Sequence, residues 1–153
     1  MARLEDIDPI MRQELIDLDC PAFDNDPWVK APALADARVA VISTAGLQRR
    51  GDRPFDLGAA DYRVIRGETV AEDLIMSHVS TNFDRAGYQQ DMNVCFPIDR
   101  LNELAEEGVI GSVAKYHYSF MGATAPEDME APTRQLAGLL KADDVNALVL
   151  VPI

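Results

Sequence analysis

The chain has 153 residues, enough for one domain with one core. Its 26 acidic and 14 basic residues leave a net charge of −12, which argues against nucleic acid and anionic membrane surfaces as partners. Apolar residues make up 48%, too many for a disordered chain, and no run reaches the ~18 apolar residues that span a bilayer.

The amino terminus, Met1 to Asp8, lacks the apolar core of a signal peptide, so a cytoplasmic location is expected. Ile7, Ile10, Met11, Leu15 and Leu18 recur at close to helical spacing, and Asp8 before Pro9 reads as an N-cap with proline at the first helical position. Cys20 to Trp28 is loop-like, with two prolines and several Asx residues, and its aromatics are expected to fold back onto the domain. Residues 1–37 thus read as a helix and loop packed on a single α/β domain over 38–153. Cys20 and Cys95 match no metal or redox spacing and are expected to be buried free thiols.

The β-branched run Arg38 to Ser43 predicts a strand buried on both faces, as in a parallel sheet. Thr44-Ala45-Gly46-Leu47 permits a tight turn after it, and Arg49 to Gly58 is polar and turn-rich. Tyr62 to Ile65 alternates as a shorter strand. Ile98, Leu101, Leu104 and Ala105 share one helical face that Gly108 terminates. Ile110–Val113 and Tyr116–Phe120 follow as strands, then a helix over Pro132–Lys141 and a last strand over Val145–Val151. Alternating strands and helices predict an open, mostly parallel sheet with flanking helices and flavodoxin- or Rossmann-like layering. In such a sheet ligands bind past the carboxyl ends of strands. Attention therefore falls on Ser43 to Gly46, Tyr118 to Gly122, and whatever follows Ile153.

The densest polar segment runs from Ser77-His78 through Asp84 to Asp91-Met92-Asn93. A histidine near carboxylates serves as a general base or a metal ligand. The spacing matches no zinc or calcium loop, and a hydrogen-bonded connection explains the same residues. His117 faces away from Tyr116, Tyr118 and Phe120 in an alternating strand and reads as a structural hydrogen-bonder. Ser43-Thr44-Ala45-Gly46 offers hydroxyls and N–H groups to an anion but is neither a Walker motif nor G-x-G-x-x-G. Arg49, Arg50 and Arg53 are either a solvated loop or a lure for an anionic substrate.

In order along the chain, Val39 to Leu47, Pro54-Phe55-Asp56-Leu57, Ser77-His78, Asp91 to Leu101, Glu107 to Gly111 and Tyr118 to Gly122 resemble the selenoprotein B family of glycine/sarcosine/betaine reductases, with their D-proline reductase relatives. The resemblance covers most of 38–153 and corresponds to the amino-terminal part of a family member. It implies reductive cleavage of the C–N bond of a small amino acid or its methylated derivative by a selenolate or thiolate. Neither cysteine occupies the family's redox position, which follows a strand like Val145 to Pro152. The resemblance therefore leads to the expectation that a selenocysteine is encoded just after Ile153; a short paralogue lacking the nucleophile is the alternative. It also implies a substrate half-site of Ser43, Thr44, Gly46, Asn93, Tyr118, Ser119 and Gly122, with His78 delivering a proton to the leaving amine and Asp84 or Asp91 orienting it. The partners expected are a small amino-acid-like substrate, reductase subunits and a second copy of the chain, with no cofactor or metal held by these residues. A non-catalytic binding or regulatory subunit on the same fold is the second reading, and a metal enzyme using His78, His117 and nearby carboxylates a third.

Overall fold

The computed structural model describes residues 3–17, 26–80 and 85–153; Cys20, Phe23 and Asp84 lie outside them. The first helix, α1 (Pro9–Ile16), starts as expected, with the Asp8 carboxylate accepting from Ile10 N and Met11 N. It buries none of its residues, and within the described part of the amino-terminal segment Ala37, next to the first strand, joins the core. Trp28 is 86% exposed but lies alongside Leu140 and Leu148, lining one cavity with them.

The sheet is built on β1 (Arg38–Ser43), whose valines, alanine and isoleucine point alternately to two apolar faces. On one edge β1 pairs in parallel with β7 (Ala147–Val151) over its length, from Val39 opposite Ala147 to Ser43 opposite Val151. On the other edge it pairs in parallel with two short strands in succession, β5 (Ser112–Val113) and β6 (Tyr116–Ser119). Beyond β6, β3 (Arg63–Arg66) runs antiparallel. The result is a curled, mostly parallel sheet. A separate antiparallel ribbon, β2 (Leu47–Arg49) with β4 (Leu74–Met76), was not evident in the sequence because both strands are three residues long. The remaining helices are α2 (Ala86–Gln90), α3 (Ile98–Glu106) and α4 (Glu130–Ala142). Gly108 ends α3 at φ +72°, the left-handed conformation for which glycine is suited.

Two cores result, one on each sheet face. Val39 and Val41 pack with Leu47, Ile65, Phe96, Ile98 and Leu101 on the α3 side. Ala40, Tyr118, Phe120, Leu136 and Leu140 pack on the α4 side. Full burial of a leucine or phenylalanine side chain contributes roughly 1.5–3 kcal/mol. No described helix is long and apolar enough to cross a membrane.

The β5–β6 edge is interrupted. Val39 pairs with Val113 and Ile42 with Tyr118, so β1 advances three residues while the facing chain advances five. The bulge leaves backbone groups to satisfy, and two side chains do so. The Asp143 carboxylate, at the end of α4, accepts from Lys115 N at 2.8 Å and Tyr116 N at 3.3 Å, and pairs with Arg38 at 2.6 Å. Burial works to raise the Asp143 pKa, but the Arg38 guanidinium and these N–H donors outweigh it and hold it below the usual range. His117 fills the gap on the opposite face: its Nδ1 accepts from Val41 N at 3.0 Å, and its ring packs edge-on against Phe96. Nδ1 must therefore be unprotonated, and burial pushes the His117 pKa down to about 4.

Two predictions follow from this bulge. Asp143→Ala strands two amides and a guanidinium, and is expected to lower stability by about 2–4 kcal/mol in urea unfolding. Because the folded His117 pKa lies below the unfolded value, its contribution is complete above pH ~6.5 and is lost as pH falls towards about 4. A fall of roughly 3 kcal/mol across that window is expected, and His117→Asn should flatten that part of the stability–pH curve.

Candidate functional site

The carboxyl ends of β1, β6 and β7 are laced into one edge. Phe120 N donates to Ser43 O at 2.9 Å, Gly46 N to Phe120 O at 2.9 Å, Gly122 N to Thr44 O at 2.9 Å, and Thr44 N to Val151 O at 3.0 Å. Thr44 Oγ1 accepts from Ile153 N at 2.8 Å and lies 3.2 Å from the Ile153 carbonyl oxygen. The strand-end segments singled out in the sequence therefore do converge.

His78 reaches this edge through its neighbour. Ser77 N donates to Gly46 O at 2.9 Å, and Ser77 Oγ bonds Gln48 Oε1 at 2.7 Å while accepting from Phe55 N at 3.0 Å. These bonds seat the His78 backbone on Gly46, where a Cβ would come within 2.9 Å of His78 N and Cα. Gly46 also has φ +65°, so two independent constraints require glycine there. Gly122 is the second close approach: a Cβ on it would collide with the Ile153 carbonyl oxygen and lie 3.0 Å from both His78 Nε2 and Thr44 O. His78, Gly122, Thr44 and Ile153 thus meet at one point.

The His78 side chain is buried, and its Nδ1 accepts from Ser80 N at 3.1 Å. The proton of the neutral ring accordingly sits on Nε2, the nitrogen facing Gly122. Burial lowers the His78 pKa, and the Arg85 guanidinium acts in the same direction. Arg85 also braces the turn, donating to His78 O and Ser80 O at 2.7 Å each.

The other residues singled out in the sequence have different positions. Ser43 and Ser119 are fully buried, and their hydroxyls accept from Ala45 N at 3.2 Å and Leu47 N at 2.8 Å. They shape the two loops from inside. Tyr118 points to the opposite face, where it meets Tyr62 edge-on, and burial pushes its pKa up to about 12. Asp91 and Asn93 form a local cap: Asp91 accepts from Asn93 N and Nδ2 at 2.9 Å, and Asn93 bonds Asp99 in the first turn of α3. The Asn93 N–H holds the Asp91 carboxyl below its usual range. Cys95 is buried and its thiol is pushed up to about 11, which keeps it protonated and inert. Among the described residues no three His, Cys, Asp or Glu side chains gather as a metal site.

Arg50 and Arg53 hold loops together, bonding Glu72 O and Asp56 respectively at 3.0 Å. Sequence reasoning missed Arg63, which is buried over the Phe55 ring and binds the carbonyls of Arg53 and Pro54. In sequence it looks like a solvent-facing strand arginine. The cue that it is inward is its place opposite Ser119 in β6.

The α/β domain thus carries a buried histidine flanked by glycines at the ends of its parallel strands. Comparison with known proteins gives the family. The model of the glycine/sarcosine/betaine reductase selenoprotein B family matches residues 15–152, and the chain belongs to that family. It is 33% identical over 120 residues to the D-proline reductase subunit gamma of Acetoanaerobium sticklandii, a match covering 76% of this chain and 49% of that protein. It is 25% identical over 147 residues to the betaine reductase complex component B subunit beta of Peptoclostridium acidaminophilum, covering 93% of this chain and 32% of the relative. It is 28% identical over 143 residues to the glycine reductase complex component B subunit gamma of Carboxydothermus hydrogenoformans, covering 88% and 32%. The chain thus spans between a third and a half of the length of these relatives. No solved structure matches it significantly.

The close approach at Gly122 gives a direct expectation. Gly122→Ala must separate Ile153 from His78 and Thr44, and should cost about 1–3 kcal/mol in thermal unfolding. Gly138→Ala in α4, where a Cβ meets open space, should be neutral or mildly stabilising.

Proposed function

We propose that this chain supplies the substrate side of the active site in a reductase complex that cleaves the C–N bond of glycine, sarcosine, betaine, proline or a similar small amino acid. The observation that carries this reading is the meeting of His78, Gly122 and Thr44 at the end of β7, in a member of this reductase family. Relatives named as components of reductase complexes support partner subunits for this chain as well.

In this reading a selenolate or thiolate supplied beyond β7 attacks the carbon that carries the nitrogen, and the amine leaves with the bonding pair. Such a nucleophile enters where Thr44 fixes Ile153, next to His78. The leaving amine requires a proton. His78 Nε2 is the described group suited to give it, with Nδ1 anchored by Ser80 N. Its lowered pKa means that the neutral ring predominates at pH 7, so proton supply through His78 strengthens on the acid side of neutrality. The glycines matter by close approach: at Gly46 the His78 backbone, and at Gly122 the end of β7 and the His78 ring, take the space a side chain would fill, which holds the ring at the strand ends.

The experiment is turnover of each candidate amino acid by the assembled complex carrying His78→Gln. A loss of about 10²-fold or more, with unchanged melting temperature and an altered acid limb of the pH profile, is expected. Unchanged turnover removes the proton-delivery role. Intact mass and selenium content of the protein from its native host test the nucleophile separately: about one selenium per chain is expected.

A further inference from the structure

His78 has two separate supports. Its backbone is set by Ser77, whose N–H donates to Gly46 O at 2.9 Å and whose hydroxyl is shared between Gln48 and Phe55. That support belongs to the β2–β4 ribbon, whose ladder holds it. The ring is set by Ser80, whose N–H donates to Nδ1 at 3.1 Å. This second support is a turn of three residues outside any strand or helix.

One side chain closes the turn. Arg85 Nη2 donates to His78 O and to Ser80 O, each at 2.7 Å. Both carbonyls converge on a single nitrogen, so the two ends of the turn are pinned to a common point. Hydrogen bonds from an ionised donor are roughly twice as strong as neutral ones. With both ends held, the Ser80 N–H stays in reach of Nδ1, and the ring keeps the orientation in which Nε2 faces Gly122.

The guanidinium also acts on the ring through its charge. Burial disfavours the imidazolium, and the Arg85 cation adds to that effect. The close neighbours at Gly46 and Gly122 bring no side chain and no charge. Loss of Arg85 therefore changes the ring in one direction: the Nδ1 anchor loosens, and protonation becomes easier. We propose that Arg85 is the positioning residue for His78: by tying the His78 and Ser80 carbonyls to one nitrogen it keeps the Ser80 N–H on Nδ1, so that the proton of the ring is held on Nε2 at the strand ends. This inference rests on the proton-delivery role given to His78, and it assigns Arg85 no contact with substrate.

Nitrogen-15 NMR of the imidazoles in the 153-residue chain tests this without turnover. The chain has two histidines, and His117, sealed in its core with a pKa of about 4, reports whether the fold is intact. His78 should show an acceptor nitrogen at Nδ1 and a proton-bearing Nε2. Arg85→Ala should mix the two tautomers, raise the His78 titration midpoint and speed exchange of the Ser80 amide about tenfold, with the His117 signals unmoved. Arg85→Lys should restore most of the original pattern, because one charged nitrogen makes both bonds. If Arg85→Ala does not fold, the midpoint is read in Arg85→Gln, which lacks the charge, and the same rise is expected. A His78 signature that is unmoved, or that moves together with that of His117, overturns the proposal. In the assembled complex Arg85→Ala should lower kcat roughly tenfold with KM within about twofold, and should add less than about twofold to the loss caused by His78→Gln. A further tenfold loss in that background, or a loss carried by KM, means that Arg85 meets substrate itself and overturns the proposal. The two readings fail differently. Unchanged turnover in His78→Gln, with the ring still moved by Arg85→Ala, removes proton delivery and with it the reason for positioning; an unmoved ring, with turnover lost in His78→Gln, removes Arg85 alone.

Discussion

The two-residue insertion between β5 and β6 governs much of what lies above it. A parallel strand pair with a gap leaves amides without ladder partners, and where such groups are buried they cost more unmade than they contribute when made. Here the repair is divided between the two sheet faces. Asp143 takes two amides of the inserted chain while holding Arg38 at the start of β1, and His117 takes the Val41 amide from the other side. Because β6 resumes in a defined register, Phe120 N meets Ser43 O and the segment to Gly122 lands beside Thr44. The convergence of the strand ends is thus positioned by a defect in the sheet and its compensation upstream. The compensation also assigns the two described histidines different chemistry. His117 is a neutral acceptor sealed in a core, whereas His78 turns its Nε2 toward the strand ends.

Close packing of backbone is the second theme. Gly46 and Gly122 come from different strands, and both are needed because another segment occupies the space a side chain would fill. At Gly46 it is the backbone of His78; at Gly122 it is the end of β7 together with the His78 ring. Ser77, Ser43 and Ser119 serve this packing by satisfying buried amides in turns too tight for a regular ladder. The polar residues at this edge consequently divide into those that build it and those that face out of it. Thr44, half-buried and bonded to Ile153, belongs to both groups.

Much of the scaffold could be read from the residues. The β1 run, the α3 stripe with its Gly108 stop, the alternation of Tyr116 to Phe120 and the Asp8-Pro9 start all have local physical causes, and local causes are visible in sequence. The convergence of Thr44, Gly46 and Gly122 was legible too, because parallel strands place their carboxyl ends together. What was hidden depended on contacts between distant residues. Nothing near Asp143 indicates that it serves amides at 115 and 116, nor does the sequence around Arg63 reveal that it lies buried on Phe55. Ser43 and Ser119 look like ligand donors, and only the fold shows their hydroxyls committed to backbone amides. Asp91 and Asn93 fit a catalytic reading and a capping reading equally well by composition. Their bonds to each other and to Asp99 describe the cap.

The pairing of β1 with β7 also bears on how the molecule is made. Arg38 and Asn146 are 108 residues apart in the chain, and Thr44 and Ile153 are 109 apart. Contacts of such long range raise contact order and slow folding, because a long loop must close before any of them contributes. During synthesis β1 emerges early, with one apolar edge waiting for a strand that has not yet been translated. The histidine edge can be completed only once β7 has been made, so it forms after β1 during synthesis, and the nascent β1 edge needs protection until then.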